Sequence, residues 1–74
     1  MNEEIVKDGW VLCHARTGKT VVEGEVVLDF RGEADTVMGG TPPHKPSSTG
    51  RVWVQGGEFY PTVFDLVWRR DKSA

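Results

Sequence analysis

The sequence predicts an all-β domain: a small barrel of five or six short strands with a single 3-10 turn before the last. Three observations carry the prediction. Valine occurs eleven times and glycine nine, against three alanines and three leucines, a balance that favours strands and turns. No segment sustains a helical period of apolar residues. The stretch GEFYPTVFDLVW, Gly57 to Trp68, is dense in aromatic and β-branched residues yet holds Pro61 in its middle. Proline has no N–H to give a central ladder, so this stretch must be two strands with a break between them.

The elements follow in order. GWVLCHA, Gly9 to Ala15, is the first strand candidate, and RTGK, Arg16 to Lys19, reads as a turn. TVVEGEVVLDF, Thr20 to Phe30, is extended and bent at Gly24. Within it Val26, Leu28 and Phe30 alternate with Val27 and Asp29, the pattern of a half-buried strand. RGE at Arg31 to Glu33 is a tight turn, and ADTVMGG, Ala34 to Gly40, returns as a strand. GTPPHKPSSTG, Gly40 to Gly50, contains three of the four prolines and can only be a loop, long enough to expect a function of it. RVWVQ, Arg51 to Gln55, is the next strand, and Gly56-Gly57 is its hairpin turn. EFY then pairs back, PTVF forms one 3-10 turn begun by Pro61, and DLVWRR closes the barrel. Residues 1–74 make one domain, with 1–8 and 71–74 read as candidates for fraying.

The strand, 3-10 turn, strand ending resembles the close of Src-homology-3-like barrels, with Tyr60, Pro61 and Phe64 in the places of the aromatic, the proline and the following aromatic. The ALYDY-like start, acidic loop and Trp pair of the peptide-binding members are absent, so the resemblance implies the barrel and not proline-rich ligands. A broader stretch, GEVVLDFRGE, then glycines and prolines, then GRVWV and EFYPTVFDL, resembles short uncharacterised proteins carried by phages and integron gene cassettes. That resemblance implies an accessory role on a mobile element. The ending is also similar to the plasmid-borne type II dihydrofolate reductases, short tetrameric barrels whose pore is lined by Val-Gln-Ile-Tyr before a proline. Here Gly57-Glu58-Phe59-Tyr60 precedes Pro61, and Glu58 in such a pore would repel the cofactor phosphates. A reductase-like oligomer is therefore a remote alternative, and saturable NADPH binding would be its sign.

Size and composition narrow the field. A chain of 74 residues buries a modest core, and small domains often lean on disulfides, metals or partners. Cys13 is the only cysteine, which excludes an internal disulfide and suits a reducing compartment. Cys13 and His14 are neighbours, so on a strand they face opposite ways and cannot share a metal. Help from other subunits becomes the attractive option. No apolar run is long enough to span a membrane, and MNEEIVKDG lacks the apolar region of a signal peptide, so a cytoplasmic protein without a membrane partner is expected. The net charge of −2 is unevenly spread: residues 1–35 carry four Lys/Arg against eight Asp/Glu, and residues 36–74 carry five against three.

Candidate chemistry is sparse. RTGKT at Arg16 to Thr20 ends like a phosphate-binding P-loop, but VVEGEVV follows it as strand, without the helix N-terminus that phosphate needs. Asp29, Glu33 and Asp35 cluster around a turn, with Arg31 placed to neutralise them. His14 is expected to face solvent or pack at a strand edge, and no nucleophile has a base at a legible spacing. No catalytic residue, metal ligand or cofactor is assigned.

The aromatic residues say more. If Val52 and Val54 point inward, Arg51 and Trp53 point out, whereas Trp68 belongs to the core or rim and Trp10 is expected outside. An outward Trp with Arg nearby is the composition of an interface hot spot. The expected function is a binding module that forms a homo-oligomer or takes a protein or peptide partner. Its surface would comprise Arg51, Trp53 and Tyr60, with His44 and Lys45 in the long loop. The alternative is nucleic-acid binding through Arg51, Arg69, Arg70 and Lys72, with Trp53 stacking a base.

Overall fold

The computed structural model describes residues 3–71. Seven strands and one 3-10 turn follow one another: β1 (Val6–Lys7), β2 (Trp10–His14), β3 (Val26–Leu28), β4 (Ala34–Thr41), β5 (Arg51–Val54), β6 (Gly57–Phe59), the 3-10 turn Pro61–Phe64, and β7 (Leu66–Arg70). The fold is all-β, with the 3-10 turn directly before the last strand. The strands form two antiparallel sheets, one in the order β1-β2-β7 and one in the order β3-β4-β5-β6. The first and last long strands thus lie side by side, with Trp10 opposite Arg70 and Leu12 opposite Trp68.

One core joins the sheets. Leu12, Leu66 and Trp68 from the first sheet meet Val27, Val37, Val52 and Val54 from the second, with Val21 and Phe64 closing the ends. Pro61 and Phe64 are the buried residues of the 3-10 turn, and Phe64 meets Phe59 edge to face at 5.8 Å.

Several expectations change in detail. The seventh strand is β1, in a segment read as a candidate for fraying. Residues 3–8 are instead laced to the domain: Ile5 N–H donates to Val21 O and Leu12 N–H to Ile5 O. Asp71 N–H donates to Gly9 O, and residues 1, 2 and 72–74 lie outside the described residues.

The extended stretch from Thr20 to Phe30 is divided between the sheets. Thr20 bridges Cys13 and Val22 bridges Glu4, whereas Val26–Leu28 pairs with β4. The transfer happens at Gly24, whose φ of +89° is open to glycine at little cost. Hydrogen bonds from Gly24 N–H to Val37 O and from Val37 N–H to Glu25 O then fix the register. That register turns Val27 inward and leaves Val26, Leu28 and Phe30 outside at 62%, 60% and 79% exposure, so the richer apolar face is the solvent face. The hairpin turn between β5 and β6 is Gln55-Gly56, one residue earlier than expected, because Gly57 already pairs with Val54.

Candidate binding groove

The site begins with a loop and the tryptophan that holds it. Residues 42–50 leave the sheet after Thr41 and return at Arg51, and these two residues are paired in the ladder. The return is possible because Gly50 has a φ of +75° and no side chain: a Cβ there would lie 2.6 Å from Thr41 O and 2.7 Å from Trp68 Cδ1. Trp68 is buried beneath, and its Nε1–H donates to Arg51 O at 3.1 Å. Pro42 is buried at the loop's root, while His44, Lys45, Pro46 and Ser47 are exposed at its tip. Inside the loop Ser48 N–H donates to Lys45 O, and Ser48 Oγ accepts from Gly50 N–H.

Two hollows flank this loop and share His44, Lys45 and Ser48. The larger, about 480 Å³, reaches Trp10 and Arg70 at the ends of β2 and β7. The smaller, about 340 Å³, reaches Arg51 on β5. The two hollows and the loop residues they share are together called the groove. Each end carries a cation over an aromatic ring: Arg51 Cζ lies 4.1 Å from the Tyr60 centroid, and Arg70 Cζ lies 4.5 Å from the Trp10 centroid. Arg51 also donates to Gly50 O at 3.2 Å. No Asp or Glu lines either hollow.

The fold thus places Arg51 and Tyr60 in contact, with His44 and Lys45 beside Arg51, and it sets Trp53 apart. Trp53 shares the outer face of β5 and is 39% exposed, but its surroundings are acidic. Its Nε1–H donates to Glu58 Oε2 at 2.8 Å, and the hollow beside it is lined by Glu3, Glu4 and Glu23. Lys7 from β1 covers the ring at 5.4 Å. The N-terminal segment therefore lies against Trp53.

Of the basic C-terminal residues, Arg70 enters the groove and Arg69, next along β7, points to the opposite face. Lys72 lies outside the described residues. Trp10 corrects its expectation: it shares a face with Leu12 and packs against the core, with Arg70 on its other side. Its part in the groove depends on the pairing of β2 with β7, across most of the chain, and no local pattern announces that.

Elsewhere the polar groups are structural. His14 is half-buried, with Nε2 2.5 Å from Glu25 Oε2, while Glu25 Oε1 accepts from Val22 N–H. Asp29 Oδ1 accepts from Arg31 and Glu33 N–H, and its carboxyl is held below the usual range chiefly by the Glu33 N–H. Burial pushes the Cys13 thiol up. Among the described residues no group of three or more His, Cys, Asp or Glu is placed to hold a metal ion. No helix among them is long and apolar enough to cross a membrane.

No family model matches the chain, and neither a curated protein nor a solved structure does.

Proposed function

We propose that the protein is a small binding module that takes an anionic ligand in the groove along the 42–50 loop. One observation carries the reading. The chain has eleven Asp and Glu against nine Lys and Arg, yet this groove gathers Arg51, Arg70 and Lys45 and no carboxylate. Such segregation focuses a local positive field on a protein whose net charge is negative. The two arginines are set against rings, which limits the freedom each would lose on meeting an anion. A Src-homology-3-like scaffold belongs to the same proposal, supported by the 3-10 turn ahead of β7. An accessory role on a mobile element is the setting that the sequence resemblance implies.

The test is retention on immobilised heparin at pH 7 in low salt. The wild type should be retained despite its net charge of −2, and the triple variant Lys45→Gln, Arg51→Gln, Arg70→Gln should flow through. A wild type that also flows through would sink the proposal.

Self-association is a second reading, and a different surface favours it. β3 is an edge strand, and Val26 and Leu28 on it and Phe30 just after it are all more than half exposed, an apolar patch that a second copy would cover. Light scattering behind size exclusion should give a mass above 8.2 kDa that Leu28→Lys returns to the monomer value. A monomeric wild type at all concentrations removes this reading and leaves the groove untouched.

A further inference from the structure

We infer that the groove's anionic ligand is a single-stranded nucleic acid, an inference that rests on the binding function proposed above. The groove offers more than positive charge. Arg51 sits over Tyr60 and Arg70 over Trp10, so each end of the groove is a planar cation backed by a ring. Tyr60 lines neither hollow, but it is 54% exposed beside Arg51 at the smaller hollow's end, within reach of a planar group that leaves the groove there. Lys45 lies between the two ends on the loop that both hollows share.

A ligand that answers all of this repeats two features along its length: a negative charge and a flat face. A nucleotide chain does so, with phosphates meeting the guanidinium and ammonium groups and bases stacking on Tyr60 and on the ring-backed arginines. An acidic peptide supplies the charge without a flat face in each unit. A duplex supplies both, but its bases are stacked on one another and cannot reach the rings. Trp53 takes no part, because Glu3, Glu4, Glu23 and Glu58 around it would repel phosphate.

The decisive experiment is fluorescence anisotropy with labelled oligo-dT and oligo-U of about twelve nucleotides, titrated over a range of salt. A duplex of the same length and polyglutamate serve as competitors. Three contacting cations predict that log K falls against log salt with a slope of about −2, at roughly −0.7 for each cation on a single strand. Arg51→Gln or Arg70→Gln should reduce that slope by about 0.7 each. Tyr60→Leu should weaken oligonucleotide binding on the order of tenfold while leaving the slope unchanged, because the three cations remain. Circular dichroism of this exposed-site variant confirms that it folds. Equal competition by duplex or by polyglutamate overturns the inference and leaves the anionic groove standing. Retention on heparin with no oligonucleotide binding does the same. Failure to bind any polyanion removes both.

Discussion

Gly50 does more for the groove than its size implies. It brings the loop back flush against Trp68 in a conformation that a side chain resists, and it has no Cβ to clash with Thr41 O. Gly50→Ala should cost about 2–4 kcal/mol in urea unfolding, because backbone strain and collision add. Gly18 is the control: its φ of +77° is similar, but nothing lies within 4 Å of the added Cβ. Gly18→Ala should cost only the strain, about 1–2 kcal/mol. Asp29 gives a prediction with a sign. Its folded carboxyl titrates below its ordinary value. Its contribution to stability is therefore complete above about pH 4, the unfolded value, and is lost as pH falls through the lower folded value. Asp29→Ala should flatten the acid limb of a melting-temperature profile below about pH 4. An unchanged limb would mean that other carboxylates govern it. Of these features the sequence shows the Asp29 turn, since acids, Arg31 and Gly32 cluster there. It does not show that Gly50 must be glycine for the sake of Trp68.

At the scale of elements, the 3-10 turn is the most legible part of the chain. Tyr60 is extended at φ −69°, ψ 141°, Pro61 starts the turn, and Pro61 and Phe64 are buried. The exit is less legible. Asp65 reverses the chain at φ 58°, ψ 41°, its N–H donates to Thr62 O, and its carbonyl accepts from Ala15 N–H. A left-handed residue at such an exit is ordinarily glycine or asparagine. Asp65→Gly should therefore leave the melting temperature unchanged or raise it, whereas Asp65→Val should lower stability by about 1–2 kcal/mol. A destabilised glycine variant would mean that the aspartate side chain contributes more than its backbone geometry shows. The β3 stretch was legible as extended and bent at Gly24, but not in its facing. Val26-Val27-Leu28 is apolar at every position. Alternation cannot choose a face there, and the Glu25–Val37 hydrogen bond chooses it.

For the whole molecule, two sheets share one core, so neither has an apolar interior of its own. The domain should unfold in a single step, with far-ultraviolet circular dichroism and tryptophan fluorescence giving coincident urea transitions. Leu66→Ala, at a site 1% exposed, should shift both together by about 2–5 kcal/mol. Separate transitions would mean that one sheet persists without the other. Charge also has to be read at this scale. The net value of −2 argues against a polyanion ligand, yet folding moves the acidic side chains of the N-terminal segment to the Trp53 side and leaves the loop side basic.

The sequence by itself determined the all-β class, the break at Pro61, the long proline-rich loop and the outward face of β5. Each depends on backbone restriction or on period-two alternation, which act over a few residues. Only the tertiary structure decided that Trp10 and Arg70 complete the groove, that Trp53 stands among carboxylates, and that the apolar face of β3 looks outward. Those outcomes depend on which strands pair and in which register. The register is fixed by hydrogen bonds between segments far apart in the chain, such as β2 with β7, and by the packing of Trp68 under Gly50.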